Sequence, residues 1–154
     1  MTPTEEKALT VYKASAGSGK TFTLSVEYIK LLIKNPMSFR STHAVTFTNK
    51  ATEEMKTRIL SQLYGIWKQL PKSKDYIEKI KSELGVTEQF MSDRAKIALF
   101  NIVHNYSYFR IETIDSFFQS VLRNLARELD LTANLRIELN DRQIESIAVD
   151  EMID

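Results

Sequence analysis

Residues Lys13–Thr23, KASAGSGKTFT, have the types and spacing to hold a phosphate. Gly17 and Gly19 leave the backbone unobstructed, and glycine tolerates positive φ, so the segment can turn its N–H groups inward around an anion. Lys20 would place a point charge on the β- and γ-phosphates of a nucleotide. Thr21 would set a hydroxyl where Mg²⁺ needs an oxygen ligand. The same chemistry assigns the cradle to Ala16, Gly17, Ser18, Gly19, Lys20, Thr21 and Phe22, with Lys20 and Thr21 nearest the reacting phosphate.

Such a loop works only between a strand and a helix. Leu9–Tyr12 reads as a short strand, and Phe22, Val26, Ile29 and Ile33 recur at helical spacing up to Lys34. Strand, glycine-rich loop and helix together make the P-loop pattern, with Ala14 where its first glycine usually stands; a small residue at negative φ fits there. Two further strand-to-helix junctions follow. In HAVTFTNKATEEM, Ala44–Thr48 reads as a strand and Asn49 as the cap of a long helix reaching Trp67, with Glu53 and Glu54 in its first turn. In YFRIETIDSFFQSVLRNLARELDL, Tyr108–Ile114 reads as a strand and Asp115 as a cap. Phe118, Val121, Leu122, Leu125 and Leu129 form the apolar side of the helix after it. In an open parallel sheet such junctions line the functional edge. There Phe47 can stack on a base, while Thr48 and Asn49 can hydrogen-bond a nucleic-acid backbone. Phe47 reads equally well as a core residue.

Between the second and third junctions lies a helical region. A short helix near Asp75–Leu84 is stopped by Gly85 and another runs from Glu88 to about Asn105, with Tyr64 and Trp67 placed in the core. The chain has 154 residues, 43% hydrophobic and 27% charged, which suits one globular domain with a real core. The absence of cysteine excludes disulfides, cysteine-ligated zinc and iron–sulfur clusters from this segment. MTPTEEKALT lacks the blocks of a signal peptide, and no apolar run approaches a membrane span, so the expected location is the cytoplasm. From Glu128 onward eight acidic residues face Arg136 and Arg142, a balance of −6, so residues 1–127 carry +7. That basic part could face nucleic acid, although Lys68, Lys72, Lys74, Lys79 and Lys81 read better as solvated helix faces.

The order ASAGSGKT, TFTNKATEEM, TIDSF resembles the opening of the first motor lobe in superfamily 1 DNA helicases of the UvrD/Rep type, and ASAGSGKTFTL looks closest to the RecB/AddA helicase–nuclease branch. The resemblance covers about residues 9–130. Ala14 is usual in that branch, and neither nucleotide kinases nor GTPases pair this P-loop with TFTNKA. What it implies is an α/β fold: a RecA-like parallel sheet flanked by helices, here an incomplete first lobe with an additional helical segment. It further implies ATP and Mg²⁺ bound by the P-loop residues, and single-stranded or duplex-end DNA contacted by Phe47, Thr48, Asn49, Thr113 and Ser116. Translocation would run 3′ to 5′, with a second motor lobe from the same longer chain and a partner subunit in a helicase–nuclease complex.

The chain departs from the family in three places. Asp115 stands where histidine is common, and a carboxylate beside a phosphodiester is repelled, which suits a capping role better. No glutamine precedes the P-loop to read adenine, the first being Gln62. Asp150, Glu151 and Asp154 copy the family's Asp-Glu-x-x-Asp spacing. However, Ile153 replaces the usual glutamine, and Ile144, Ile147, Ala148 and Met152 fit one helical face, so that motif reads as a decoy.

The expectation is therefore an N-terminal portion of a helicase ATP-binding lobe over 1–154, with a helical insertion at about 65–106 and the start of a following subdomain at about 131–154. The longer protein would be an ATP-dependent helicase for DNA repair or recombination. This segment alone would bind without useful hydrolysis, since hydrolysis needs paired carboxylates and arginine fingers from elsewhere. Two alternatives stand beside it. A small P-loop nucleotide phosphotransferase would need an arginine-bearing lid, and a non-catalytic DNA- or partner-binding module would be indifferent to Lys20→Ala.

Overall fold

The computed structural model describes residues 10–12 and 19–128. Among them are helices α1 (Lys20–Lys34), α2 (Asn49–Trp67), α3 (Lys74–Leu84), α4 (Glu88–His104) and α5 (Ile114–Glu128), and strands β1 (Ala44–Thr46) and β2 (Ile111–Thr113). The strands pair in a small parallel sheet, and the Ala44 N–H donates to the Arg110 carbonyl at 3.1 Å. The chain divides into two compact units, residues 1–112 and 113–154.

The core of the first unit is helical. Val26, Ile29, Leu32 and Ile33 of α1 meet Met55, Ile59, Leu63 and Ile66 of α2, Ile80 of α3, and Met91 and Ile102 of α4 in one buried cluster. Each fully buried branched side chain stabilises the fold by about 1.5–3 kcal/mol relative to exposure. Ser92, Ala95 and Ala98 keep the buried face of α4 small, and α4 has its most extensive contact with α2. Ser92 Oγ fixes the register by donating to the Trp67 carbonyl at 2.8 Å. The helical region expected between the second and third junctions is thus part of the packing that holds α1 and α2.

Helix ends follow local chemistry. Gly85 stops α3 in the left-handed region at φ 63°, as its sequence position suggests. At the end of α2 the left-handed residue is Gln69, φ 51°. Leu70 N–H returns to the Gly65 carbonyl at 2.8 Å and Gln69 N–H to the Ile66 carbonyl at 3.3 Å, a Schellman closure built without glycine.

Several local expectations are corrected. Thr10–Tyr12 form no strand, and Val11 and Tyr12 are exposed. Leu9 lies outside the described residues, as do Leu129, the Asp150–Glu151 motif and Lys13–Ser18 of the P-loop. The third junction's strand is shorter than Tyr108–Ile114, because Tyr106–Tyr108 closes in a 3-10 turn and Ile114 already begins α5. Tyr64 is 44% exposed rather than core, since the buried stripe of α2 runs through Ile59, Leu63 and Ile66 and passes it by. Trp67 is partly buried against that core. In the second unit, α5 buries Ala126 and leaves Phe118, Leu122 and Leu125 exposed.

Candidate functional site

Gly19 caps α1 in the left-handed region, φ 83° and ψ 16°, with its carbonyl accepting from Thr23 N–H at 2.9 Å. Among the described residues a Cβ there would touch nothing within 4 Å, and the backbone angle itself favours glycine. Gly19, Lys20 and Thr21 are exposed, and the first turn carries no acidic residue. The first N–H groups of a helix have no intrahelical partner and sit at its positive end, so this terminus suits an anion, with the Lys20 ammonium beside it. The Thr21 carbonyl is held by Ser25 Oγ at 2.7 Å. The Phe22 ring packs edge-on against Tyr76 at 4.6 Å and ties α1 to α3. Ala16, Gly17 and Ser18 lie outside the described residues.

Beside this terminus a cavity of about 420 Å³ is lined by Tyr12, Phe22, Val26, Glu27, Lys30 and Glu83, among others. Lys30 Nζ bridges Glu27 at 2.8 Å and Glu83 at 2.6 Å, and Lys79 meets Glu83 at 2.8 Å. Burial opposes the Lys30 charge, yet hydrogen bonds to Glu27 and Glu83 hold its pKa above the ordinary value. The Lys30 and Lys79 ammonium groups hold the Glu83 carboxyl below its own. A hydrogen bond to Glu27 raises the Tyr12 phenol. The charges neutralise one another, so this cavity wall braces α1 against α3 and offers no free cation. Sequence inspection missed the network. The Glu27/Lys30 and Lys79/Glu83 spacings are visible as helical pairs, but the Lys30–Glu83 link spans two helices. Among the described residues no cluster of histidine and carboxylate side chains could hold a metal ion.

At the second junction Phe47 is 88% exposed, which removes the core reading of that ring. The cap of α2 is Thr48 and not Asn49: Thr48 is extended, φ −135° and ψ 152°, and its Oγ1 accepts from Ala51 N–H at 3.1 Å. Asn49 is the first helical residue and is exposed. Both types cap well, and the backbone, still extended at Thr48 and helical from Asn49, decides between them. Glu53 and Glu54 consequently fall beyond the first turn, which has no acid. Thr46 Oγ1 braces the turn through Thr52 Oγ1 at 2.6 Å and the Thr48 carbonyl at 3.1 Å. Thr48 accepts in this arrangement and keeps its hydroxyl proton for an outside acceptor.

The third junction repeats the device. Thr113 Oγ1 accepts from Ser116 N–H at 3.3 Å and lies 2.9 Å from Ser116 Oγ. Thr113 thus does the capping expected of Asp115, which sits within the first turn of α5. Ser116 and Asp115 are exposed.

Comparison with known proteins gives the family. The family model described as UvrD/REP helicase N-terminal domain matches residues 2–152. The chain is 34% identical over 126 residues to an ATP-dependent helicase/nuclease subunit of Clostridium novyi (strain NT), covering 80% of this chain and 8% of that protein. It is 33% identical over 126 residues to the RecBCD enzyme subunit RecB of Buchnera aphidicola subsp. Schizaphis graminum, covering 77% and 10%. DNA helicase II of Haemophilus influenzae is 45% identical over 62 residues, 35% of this chain and 8% of the relative. The chain spans a tenth or less of the length of these relatives. No solved structure matches. A family match over nearly the whole length, with the glycine-capped α1 and the threonine-capped junction in the order the sequence motifs predict, makes this chain a member of the UvrD/REP helicase N-terminal domain family.

Proposed function

We propose that this chain is the nucleotide-binding part of the first motor lobe of an ATP-dependent DNA helicase of the helicase–nuclease kind, a 3′ to 5′ translocase on single-stranded DNA. The observation that carries the reading is the N-terminus of α1, where a left-handed Gly19 is followed by exposed Lys20 and Thr21 in a first turn free of acidic side chains. Those residues fit a triphosphate with Mg²⁺. Lys20 would lie against the β- and γ-phosphates, the Thr21 hydroxyl would be the magnesium ligand, and Ala16–Gly19 would lend backbone N–H groups. Bound Mg-ATP would supply the free energy of phosphoryl transfer that drives translocation.

At the second junction Phe47 would stack on a base, with Thr48 donating its hydroxyl proton and Asn49 its amide to the strand. Thr113 and Ser116 would make the corresponding contact at the third. The second motor lobe would come from the same longer chain, with a partner subunit beside it, in the cytoplasm. No helix among the described residues is long and apolar enough to cross a membrane.

Calorimetry of Mg-ATP and Mg-GTP binding, with and without single-stranded DNA, on this chain and on Lys20→Ala tests the reading. ATP binding lost in Lys20→Ala supports it. ATP binding that survives Lys20→Ala unchanged overturns it, and sustained turnover by the 154-residue chain overturns the assignment of hydrolysis to residues outside it.

A further inference from the structure

At the opposite end of α2 from Phe47 lies a second exposed cluster that the motor reading does not use. Trp67 is anchored through its carbonyl to Ser92 and through its ring to the core. Tyr64 and Phe100 stand edge-on to it, each with ring centroids 5.8 Å away, and they are 44% and 48% exposed. His104 stacks on Phe100 at 6.3 Å and 15°. Lys68 Nζ sits 3.9 Å over the Trp67 ring and Lys96 Nζ 5.6 Å from it. Lys74, Lys79 and Lys81, from the same basic stretch of sequence, are paired to Glu78, Glu83 and Glu88. Among the described residues Lys68 and Lys96 have no carboxylate partner; they are exposed and rest on the aromatic ring.

We propose that the Tyr64–Trp67–Phe100 cluster with Lys68 and Lys96 is a second binding site for single-stranded nucleic acid. Fixed, half-exposed aromatic rings beside unpaired ammonium groups match a strand that alternates planar bases with phosphates. A duplex keeps its base faces stacked inside and cannot use the rings. An acidic peptide would satisfy the lysines and leave the rings without a flat partner. Helix α2 has 19 residues, so the cluster lies about 28 Å from the Phe47 junction. The inference extends the nucleic-acid reading of that junction, and the experiment separates the two.

Trp67 is the only tryptophan in the chain, so its emission reports on this cluster alone. An oligothymidylate of about 16 nucleotides, titrated at low salt and followed by both Trp67 emission and end-label anisotropy, should quench Trp67. Phe100→Ala should weaken that binding about tenfold. Lys68→Gln and Lys96→Gln, both at exposed positions, should each lower the salt slope by about 0.7, and Phe47→Ala should leave the quenching in place. Equal quenching by an abasic deoxyribose-phosphate polymer would reduce the site to charge alone and overturn the proposal. Equal quenching by polyglutamate would mark a surface for acidic protein and overturn it too. Anisotropy that rises without any change in Trp67 emission, and is lost in Phe47→Ala, would overturn this site while leaving the Phe47 junction standing. Absence of any binding would sink both.

Discussion

Alanine at Gly65 sets helix propensity against packing. Gly65 is buried within α2 where the chain returns through Pro71–Ser73. A Cβ there would lie 1.9 Å from Ser73 Oγ and 2.9 Å from Ser73 Cβ. Non-bonded carbon atoms settle near 3.5–4.0 Å, so Ser73 would have to retreat by about 1.5 Å. Ser73 is fully buried and has little room to do so. Overpacking of this kind costs about 1–3 kcal/mol, and the severity of the clash puts Gly65→Ala at the upper end. The gain in helix propensity returns about 1 kcal/mol. A net loss of about 2 kcal/mol follows, or a fall of about 4–8 °C in Tm for a chain of this size. Urea unfolding followed by far-UV circular dichroism measures it. Ser73→Gly removes both clashing atoms, so the double variant should recover most of the loss, whereas Ser73→Ala removes only Oγ and should recover part. Ser73→Ala alone should be neutral or stabilising, because the buried Ser73 Oγ has no hydrogen-bond partner. A more stable Gly65→Ala, or a double-mutant cycle with no favourable coupling, would refute the reasoning.

Three other outcomes are expected. Thr48→Ala should cost about 1 kcal/mol by removing the cap of α2, and Thr48→Ser should restore it, as read by the urea midpoint. Gln69→Gly and Gly85→Ala should move stability in opposite directions by about 1 kcal/mol each, since both positions are left-handed and only the first now lacks glycine; equal signs would show that contacts outweigh the backbone angle there. The Glu83 carboxyl, held below its ordinary value of 4.5 by Lys30 and then Lys79, contributes stability that is present above that value and lost as pH falls through its lowered one. Lys30, held above 10.5, contributes on the other side: its share persists below that value and fades as pH rises through the raised one. Glu83→Gln should therefore flatten the acid limb of a stability profile, and an unchanged limb would contradict the linkage.

The helices were the legible part of the sequence, and their ends less so. The periodicity of α2, α3 and α4 and the stop at Gly85 stand within a residue or so of where the apolar pattern places them. Caps were harder, because TFTN offers both Thr48 and Asn49 and TIDS offers Thr113, Asp115 and Ser116, and the choice rests on where the extended backbone gives way to the helix. Tyr64 shows the limit of type-based burial: an aromatic on a long helix reads as core until the stripe of neighbours is drawn residue by residue. At the candidate nucleotide site Lys20 and Thr21 stand at the helix start the motif requires. Phe22, counted with the loop by its position, packs its ring on Tyr76, a contact between helices that the loop pattern does not encode. Links such as Lys30 to Glu83 or Lys68 to the Trp67 ring depend on how α1, α3 and the end of α2 are placed, and no local spacing encodes them.

The length of α2 has a mechanical consequence. Ile59, wholly buried, lies near its midpoint, with Thr48 just beyond one end and Trp67 at the other. Met55, Leu63 and Ile66 are buried beside it, so the core grips the helix along its length and not at one point. Phe47 at one end and the Trp67 cluster at the other therefore share one support, about 28 Å apart.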